Sequence, residues 1–176
     1  MKRKNMRFSS RLIGGKGDSP PRIPDWKLVD SPGNIDLHPA DKEVEVFETE
    51  GGIRYVRTPK ERFEYLPGFP FEANYADIDG LRMHYVDEGP KDGEVVLMLH
   101  GQPSWSYLYR KMIPIIADGG FRAIAVDHIG MGRSDKPTDI GIHTFEQQVD
   151  WQKKFISALG LEDITLFCQD WGSLIG

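Results

Sequence analysis

A carboxylate near the end of this sequence has neighbours that suit it to attack carbon. Asp170 follows the apolar run at residues 164–168 and is followed at once by Trp171 and Gly172. An aspartate in such a place can displace a leaving group from carbon and form an ester, and that step needs no adjacent base. The same residue could instead be a helix cap, since an Asp side chain accepts hydrogen bonds from the free N–H groups of a following helix.

The residues on either side of Asp170 favour the nucleophile. Cys168 to Gly172 has the form of a sharp strand-to-helix turn, in which small residues two places before and after the nucleophile leave room for it. Cys168 and Gly172 occupy those two places. Glycine is the usual residue at the first place, so Cys168 departs from the pattern. We predict that Asp170 is exposed at such a turn.

A second segment, His100-Gly101-Gln102-Pro103, offers hydrogen-bond donors to the same place. The residues flanking Gln102 allow its backbone N–H to point into the crevice beside the N–H of Trp171. Two converging N–H groups would form an oxyanion hole for hydrolysis of the ester. The Trp171 indole N–H and the Gln102 side-chain amide also donate without a full positive charge. Such donors suit a departing halide in an apolar pocket. We therefore predict that Gln102 and Trp171 form the oxyanion hole and also bind the halide.

The strands that would position these residues can be recognised from the sequence. The run at 74–89 contains two alternating segments around Asp79-Gly80, a dipeptide that favours a tight β-hairpin turn. Nearly continuous apolar runs at 94–101, 121–130 and 162–172 predict strands buried on both faces. In addition, residues 42–50 alternate well enough for a short edge strand.

Two helices are predicted between these strands. In the first, at 105–118, Pro114 should kink or shorten the helix, and the apolar spacing selects one face: Trp105, Leu108, Met112 and Ile115 or Ile116. In the second, Thr144 is a plausible cap and Gly160 a stop, and the predicted apolar face is Phe145, Val149, Phe155, Ile156 and Leu159. This alternation predicts an α/β fold with a mostly parallel sheet and helices on both faces. The loops at 100–105, 127–137 and 168–172 should then meet at one edge.

The remaining histidines and charges near these loops favour structural roles. His100 precedes the donor turn and is expected to order the loop. His128 lies in a loop where Asp127, Arg133 and Asp135 can tie the backbone together. No spacing typical of a metal site is present, and the glycine-rich stretch at 130–132 lacks the lysine of a phosphate loop. We therefore expect no metal and no cofactor.

Composition predicts one domain with an extension. The chain has 176 residues, 39% of them hydrophobic, and a formal net charge of −5. Residues 1–22 are basic, but they lack interleaved aromatic residues and an amphipathic period, so a solvated extension is favoured over a nucleic-acid or membrane element. With neither a membrane-length apolar run nor a secretory signal, and with Cys168 as the single cysteine, we expect a cytoplasmic protein. We assign residues 1–52 to the extension and 53–176 to the domain.

Three motifs together resemble a known family. HGQPSWSYLYRKMIP, DHIGMGRSDKP and QDWG, in this order, are similar to the haloalkane dehalogenases of the α/β-hydrolase fold from about Ile53 to Gly176. TPKERFEYLPGFPF also resembles the N-terminal segment of the subgroup that has Trp in HGxPxW. The resemblance implies hydrolysis of haloalkanes to alcohol and halide through an aspartyl ester. By position, Asp170 would be the nucleophile and Trp171 the halide-binding tryptophan and an oxyanion donor.

Gln102 departs from the family pattern, since these enzymes commonly have Asn or Glu there. Epoxide hydrolases of the same fold share the DWG motif but tend to have an aromatic residue between HG and P. The amide of Gln102 therefore favours dehalogenation, with epoxide hydrolysis as the alternative.

Hydrolysis of the ester also requires a histidine to activate water and an acid to orient it. In this fold both follow the nucleophile, and the sequence stops at Gly176. We expect the chain to be the N-terminal part of a longer, monomeric enzyme acting on a small haloalkane and water. The histidine, the acid and a lid domain that shapes the substrate pocket would then be encoded downstream. The alternative is a truncated product without turnover.

Overall fold

The computed structural model describes residues 44–176, and the predicted basic extension up to residue 43 lies outside the described residues. The described part forms a five-stranded and a three-stranded sheet. The strands are β1 (Val46–Glu48), β2 (Arg54–Val56), β3 (Asn74–Ile78), β4 (Leu81–Glu88), β5 (Val95–Leu99), β6 (Arg122–Val126), β7 (Lys136–Pro137) and β8 (Thr165–Cys168). The α-helices are α1 (Met112–Asp118), α2 (Phe145–Ala158) and α3 (Gly172–Ile175), and short 3-10 helices occupy Lys60–Phe63, Ser106–Tyr109 and Ile140–Ile142.

The larger sheet has the strand order β3-β4-β6-β5-β8. Its pairings β6-β5 and β5-β8 are parallel, and β3-β4 and β4-β6 are antiparallel. Leu99 at the end of β5 lies opposite Val126 of β6 and Cys168 of β8. The three parallel strands therefore end at the same level, which brings the loops after them to one edge as predicted.

The hairpin prediction is confirmed. Strands β3 and β4 pair through Ile78 and Leu81, and the two residues between them have positive φ, 57° at Asp79 and 80° at Gly80. Both central positions of a tight hairpin turn require this conformation, which Asn, Asp and Gly adopt most readily. A side chain on Gly80 would also lie only 2.9 Å from Cβ of Thr49.

Helices pack on both faces of the larger sheet, as predicted. Successive residues of β5 and β6 point to opposite faces. On one face, Leu97 and Ile124 pack in a hydrophobic core with Trp151 and Phe155 of α2. The other face carries Met98, Ala123 and Ala125 into a second core with Ile113 of α1.

The first predicted helix is divided, and its predicted face is only partly correct, since Trp105, Met112 and Ile116 pack against the second core. A 3-10 turn covers Ser106–Tyr109 and α1 begins only at Met112, so Pro114 falls in the first helical turn, where no N–H donor is needed. The division resets the helical phase. As a result Leu108 and Ile115 are 42% and 72% exposed.

The second predicted helix is confirmed at both ends. The Thr144 hydroxyl accepts a hydrogen bond of 3.2 Å from the N–H of Gln147 and so caps α2. The helix ends just before Gly160, whose φ is 59°. The predicted face is only partly correct, because Trp151 is fully buried and Phe145 is 44% exposed.

The predicted burial of the last strand is wrong. Strand β8 pairs only with β5 and forms an edge of the sheet within residues 44–176. Leu166 and Phe167 are each 44% exposed, because no described element covers them. The sequence pattern of β8 is as continuously apolar as that of a strand buried on both faces, so the pattern alone could not show that β8 is exposed in the described residues.

The alternation at residues 42–50 does form a short edge strand, β1, which pairs with β2 in the three-stranded sheet. The compact unit that contains it runs from Glu43 to Gly176. The division of the chain at residue 52 stays a prediction, since residues 1–43 are not described. None of the helices in the described part is long and apolar enough to span a membrane.

Candidate active site

Asp170 lies at a sharp turn between β8 and α3. Its φ is 52°, a conformation that is uncommon for residues other than glycine. The turn is closed by a hydrogen bond of 3.0 Å from the N–H of Gly172 to the carbonyl of Gln169. Asp170 is exposed, and α3 has no side-chain cap. The carboxylate is therefore displayed at the turn and does not cap the helix.

The turn packs closely against the end of β5. Hydrogen bonds of 3.1 Å join Gln169 N–H to the Leu99 carbonyl and Gly101 N–H to the Gln169 side chain. A Cβ atom on Gly172 would collide with the Leu99 carbonyl, and one on Gly101 would collide with the Asp170 side chain. Small residues are thus required at these two crossing points. Cys168, the departure from the usual pattern, is half-buried, and burial raises the pKa of its thiol.

The backbone N–H of Gln102 donates to Oδ1 of Asp170 over 3.1 Å. This contact leaves the second oxygen, Oδ2, without a hydrogen bond from residues 44–176. The N–H of Trp171 is likewise not engaged by any group in that range. One of the two predicted backbone donors therefore touches the carboxylate, and the other lies on the residue next to it.

Gln102 and Trp171 both line a pocket of about 310 Å³. Volumes of this order are at the small end of those that hold small organic ligands. The Trp171 side chain is 46% exposed, and Phe145 at the start of α2 is 44% exposed. The other lining residues are His128, Ile129, Gly130, Met131, His143, Thr144, Gln148 and Ile175.

Only Gln102 and Trp171 among the lining residues were predicted as site residues, and His143, Thr144, Phe145 and Gln148 also lie outside the three loops expected at this edge. They belong to the start of α2 and the residues just before it. No sequence motif distinguishes them. Phe145 also matches the apolar periodicity of the helix, so the pattern alone cannot tell a pocket residue from a core residue at that position. Their position in the pocket depends on how α2 packs beside the turn.

His100 and His128 form a buried pair beneath the donor loop. His100 donates from Nδ1 to the Gly101 carbonyl over 2.8 Å, and its Nε2 accepts from the His128 backbone N–H over 3.1 Å. His128 in turn donates from Nε2 to the His100 carbonyl over 2.9 Å. Burial lowers the pKa of His100, and burial together with the neighbouring His100 lowers that of His128 to about 4. Both rings are neutral and ordered, as the structural roles predicted for them require.

Asp127 stabilises the loop at residues 127–137 through hydrogen bonds to its carboxylate. Its carboxylate is fully buried and accepts from His84 Nδ1 over 2.8 Å and from the N–H groups of Ser106 and Arg133 over 2.7 and 2.8 Å. Burial alone would raise its pKa, but the hydrogen bonds, led by that of His84, hold it below the usual range. This ionised carboxylate ties the backbone of the loop, as predicted. It has no contact with Asp170.

Residues 94–176 match the model of a protein family described as alpha/beta hydrolase fold. A haloalkane dehalogenase of Mycobacterium marinum is 56% identical over 126 residues, which make up 69% of this chain and 42% of that protein. The solved structure of a haloalkane dehalogenase from Paraglaciecola agarilytica NO2, described as tetrameric, has a TM-score of 0.68 and 50% identity, covering 70% of this chain and 43% of its own. An epoxide hydrolase from Vigna radiata has a TM-score of 0.57 and 33% identity, covering 60% of this chain and 34% of its own.

The fold and the site together define the chain as one with the α/β-hydrolase fold. It is homologous to the haloalkane dehalogenases along part of their length, so the resemblance inferred from the three motifs is confirmed. The chain spans 42–43% of the length of these dehalogenase relatives and 34% of the epoxide hydrolase.

Proposed function

We propose that this chain supplies the nucleophile, the oxyanion donors and part of the halide site of a haloalkane dehalogenase. The observation that carries the proposal is the hydrogen bond from Gln102 N–H to Oδ1 of an exposed Asp170 at a strand-to-helix turn. That contact orients the carboxylate and leaves Oδ2 available for attack. Identity to individual dehalogenases reaches 50–56%, whereas other dehalogenase structures, at 36%, are about as distant as the epoxide hydrolase at 33%.

In the first step, Oδ2 of Asp170 attacks the carbon that bears the halogen. A new C–O bond forms as the carbon–halogen bond breaks, and the halide leaves with the electron pair of that bond. The Trp171 indole N–H and the Gln102 amide donate to the departing halide from the wall of the pocket. These donors stabilise the charge that develops on the leaving atom, while Gln102 N–H keeps the carboxylate aligned.

In the second step, water attacks the carbonyl carbon of the ester. The backbone N–H groups of Gln102 and Trp171 would stabilise the oxyanion that forms there. Collapse of this intermediate releases the alcohol and restores the Asp170 carboxylate. The net reaction converts haloalkane and water into alcohol, halide and a proton.

The second step needs a base for the water. No histidine within residues 44–176 forms a hydrogen bond with Asp170, and His100 and His128 are buried and bonded to each other. We propose that a histidine and its orienting acid are encoded beyond Gly176, which fits a chain that spans about 43% of its relatives. Reading the DNA past that codon tests this part: an Asp or Glu followed by a His in frame supports it.

The activity is tested by halide release from 1-bromobutane and 1-chlorobutane by the protein made from the complete reading frame. We expect turnover that Asp170→Asn abolishes, because a neutral amide is a far weaker nucleophile than a carboxylate. Asp163→Asn is the matched control, since Asp163 is also exposed and also has a positive φ, 49°. Full activity in Asp170→Asn, or equal loss in Asp163→Asn, would contradict the assignment.

Epoxide hydrolysis is the second candidate, because the likeness to the Vigna radiata enzyme extends over the same fold. It uses the same nucleophile, so the Asp170 variant does not separate the two. Formation of a diol from 1,2-epoxybutane, without halide release from either haloalkane, would select it. The predicted monomeric state and cytoplasmic location stay predictions, and the tetramer described for the Paraglaciecola enzyme makes the oligomeric state worth measuring by light scattering.

A further inference from the structure

A second pocket, of about 590 Å³, shares no lining residue with the pocket that Gln102 and Trp171 line. Four cationic side chains line it: Arg57, Lys60, Arg82 and Arg133. The single carboxylate in its lining is Glu64. This concentration of positive charge does not follow from composition, because the chain has a net charge of −5.

Aromatic rings hold the arginines of this pocket in place. The guanidinium carbon of Arg82 lies 4.8 Å from the ring centre of Tyr75, and that of Arg133 lies 5.1 Å from the ring centre of Phe63. Stacking of this kind orients a guanidinium while leaving its charge uncompensated. These side chains are therefore ordered before any ligand arrives.

Carboxylates neutralise only part of the charge. Buried Asp135 accepts from Arg57 over 2.8 and 3.1 Å and lies 3.5 Å from Nε of Arg82. Within residues 44–176, Lys60 and Arg133 form no ion pair, and Nε of Arg133 has no hydrogen-bond partner. The pocket thus holds four cations against Asp135 and Glu64, which leaves an excess of two positive charges.

We propose that this pocket binds a phosphate dianion, either free phosphate or the phosphate group of a monoester. The excess of two charges matches the charge of the ligand, and planar guanidinium groups donate paired hydrogen bonds to phosphate oxygens. Phe63 and Tyr75 also line the pocket and offer rings against which the organic part of a monoester can pack. This site is independent of the proposed dehalogenation.

The test is a calorimetric titration of the protein made from the complete reading frame with inorganic phosphate and, separately, with phenyl phosphate, at constant ionic strength. We expect saturable binding that sodium chloride does not reproduce. Lys60→Gln and Arg133→Gln should each weaken it about fivefold, as expected for removal of one partly exposed charge facing a dianion. Glu64→Gln should strengthen it, because the one carboxylate in the pocket lining is removed.

Arg110→Gln is the matched control. Arg110 stacks on Tyr107 at 4.1 Å and donates to the Tyr107 carbonyl over 3.0 Å, much as Arg133 stacks on Phe63 and donates to the Phe63 carbonyl over 3.4 Å, but it does not line the pocket. We expect Arg110→Gln to bind phosphate as the parent chain does. Lys60 is exposed, so its replacement should leave the circular dichroism spectrum unchanged.

The two ligands distinguish the source of the phosphate. Tighter binding of phenyl phosphate indicates an organic monoester, whereas equal or weaker binding indicates free phosphate, and both results support the site. The proposal is overturned if phosphate binds no better than chloride, or if Arg110→Gln weakens binding as much as Arg133→Gln does.

Discussion

His128 shows how a single buried side chain shapes both the site and the stability of the chain. It donates to His100, which in turn donates to the Gly101 carbonyl beside the donor residue Gln102. Its pKa of about 4 lies below the value of about 6.5 expected in an unfolded chain. The ring is neutral in the folded state at pH values where the unfolded chain would bind a proton.

This difference predicts a loss of stability in mild acid. Between pH 6.5 and 4 the unfolded state binds more protons than the folded state, so the free energy of unfolding falls as the pH falls. The shift of His128 corresponds to roughly 3 kcal/mol over this window. Asp87 and Asp127 have lowered pKa values, so their contribution to the free energy of unfolding is lost only at still lower pH, where they become protonated.

Urea unfolding at pH 7 and pH 4.5 measures the effect. The parent chain should lose most of the roughly 3 kcal/mol assigned to His128, together with the loss due to His100, whose pKa burial also lowers. The variant His128→Gln keeps an N–H donor but cannot bind a proton in this range, so it should retain only the loss due to His100. An equal loss in both proteins would show that His128 does not titrate as described.

Individual site residues could be predicted where the physics is local. The turn at Asp170 depends on its immediate neighbours, and Gly172 is small because the Leu99 carbonyl lies against it. The pocket residues His143 and Gln148 could not be predicted this way, because their place depends on long-range packing. Trp151 is buried but was not predicted as a core residue, because the apolar face predicted for α2 was rotated about the helix axis relative to the face that is buried.

At the scale of elements, α2 connects the core to the pocket. Trp151 and Phe155 are buried against the sheet, and the start of the helix lines the pocket with Thr144 and Phe145. The Thr144 cap therefore holds part of the pocket wall as well as the helix end.

We predict that Thr144→Ala lowers the free energy of unfolding by about 1 kcal/mol, because the N–H of Gln147 loses its acceptor. Thr144→Ser should retain most of the stability, since its hydroxyl can accept the same hydrogen bond. Urea unfolding measures both. Equal stability of the alanine and serine variants would contradict a capping role.

The two mistaken element predictions have different physical causes. In the first helix, a 3-10 turn at Ser106–Tyr109 changes the phase, which an α-helical period cannot anticipate. In β8, the apolar pattern predicts burial correctly only where a second layer exists. Its exposed Leu166 and Phe167 form an apolar sheet edge of the kind that promotes association.

On the scale of the whole molecule, the sheet order explains why distant segments form one site. Strands β6, β5 and β8 are parallel and end level at Val126, Leu99 and Cys168. The α/β class and this common edge could be predicted, because alternation of strands and helices leaves few arrangements. The antiparallel pairing of β4 with β6 could not be predicted, because the two strands are distant in the sequence and no local pattern specifies their pairing.

If Asp170 attacks carbon, a butyl ester on its side chain is the product to detect. Within residues 44–176 no histidine forms a hydrogen bond with Asp170, and His143, which lines the pocket, is bonded to the Pro137 carbonyl. Those residues therefore offer the ester no base already bonded to Asp170, and we expect it to hydrolyse slowly enough to detect. After incubation with 1-bromobutane, peptide mass spectrometry should find one butyl group on Asp170 and none in Asp170→Asn. Recovery of the butyl group on Cys168 instead, or its absence from Asp170, would contradict the account.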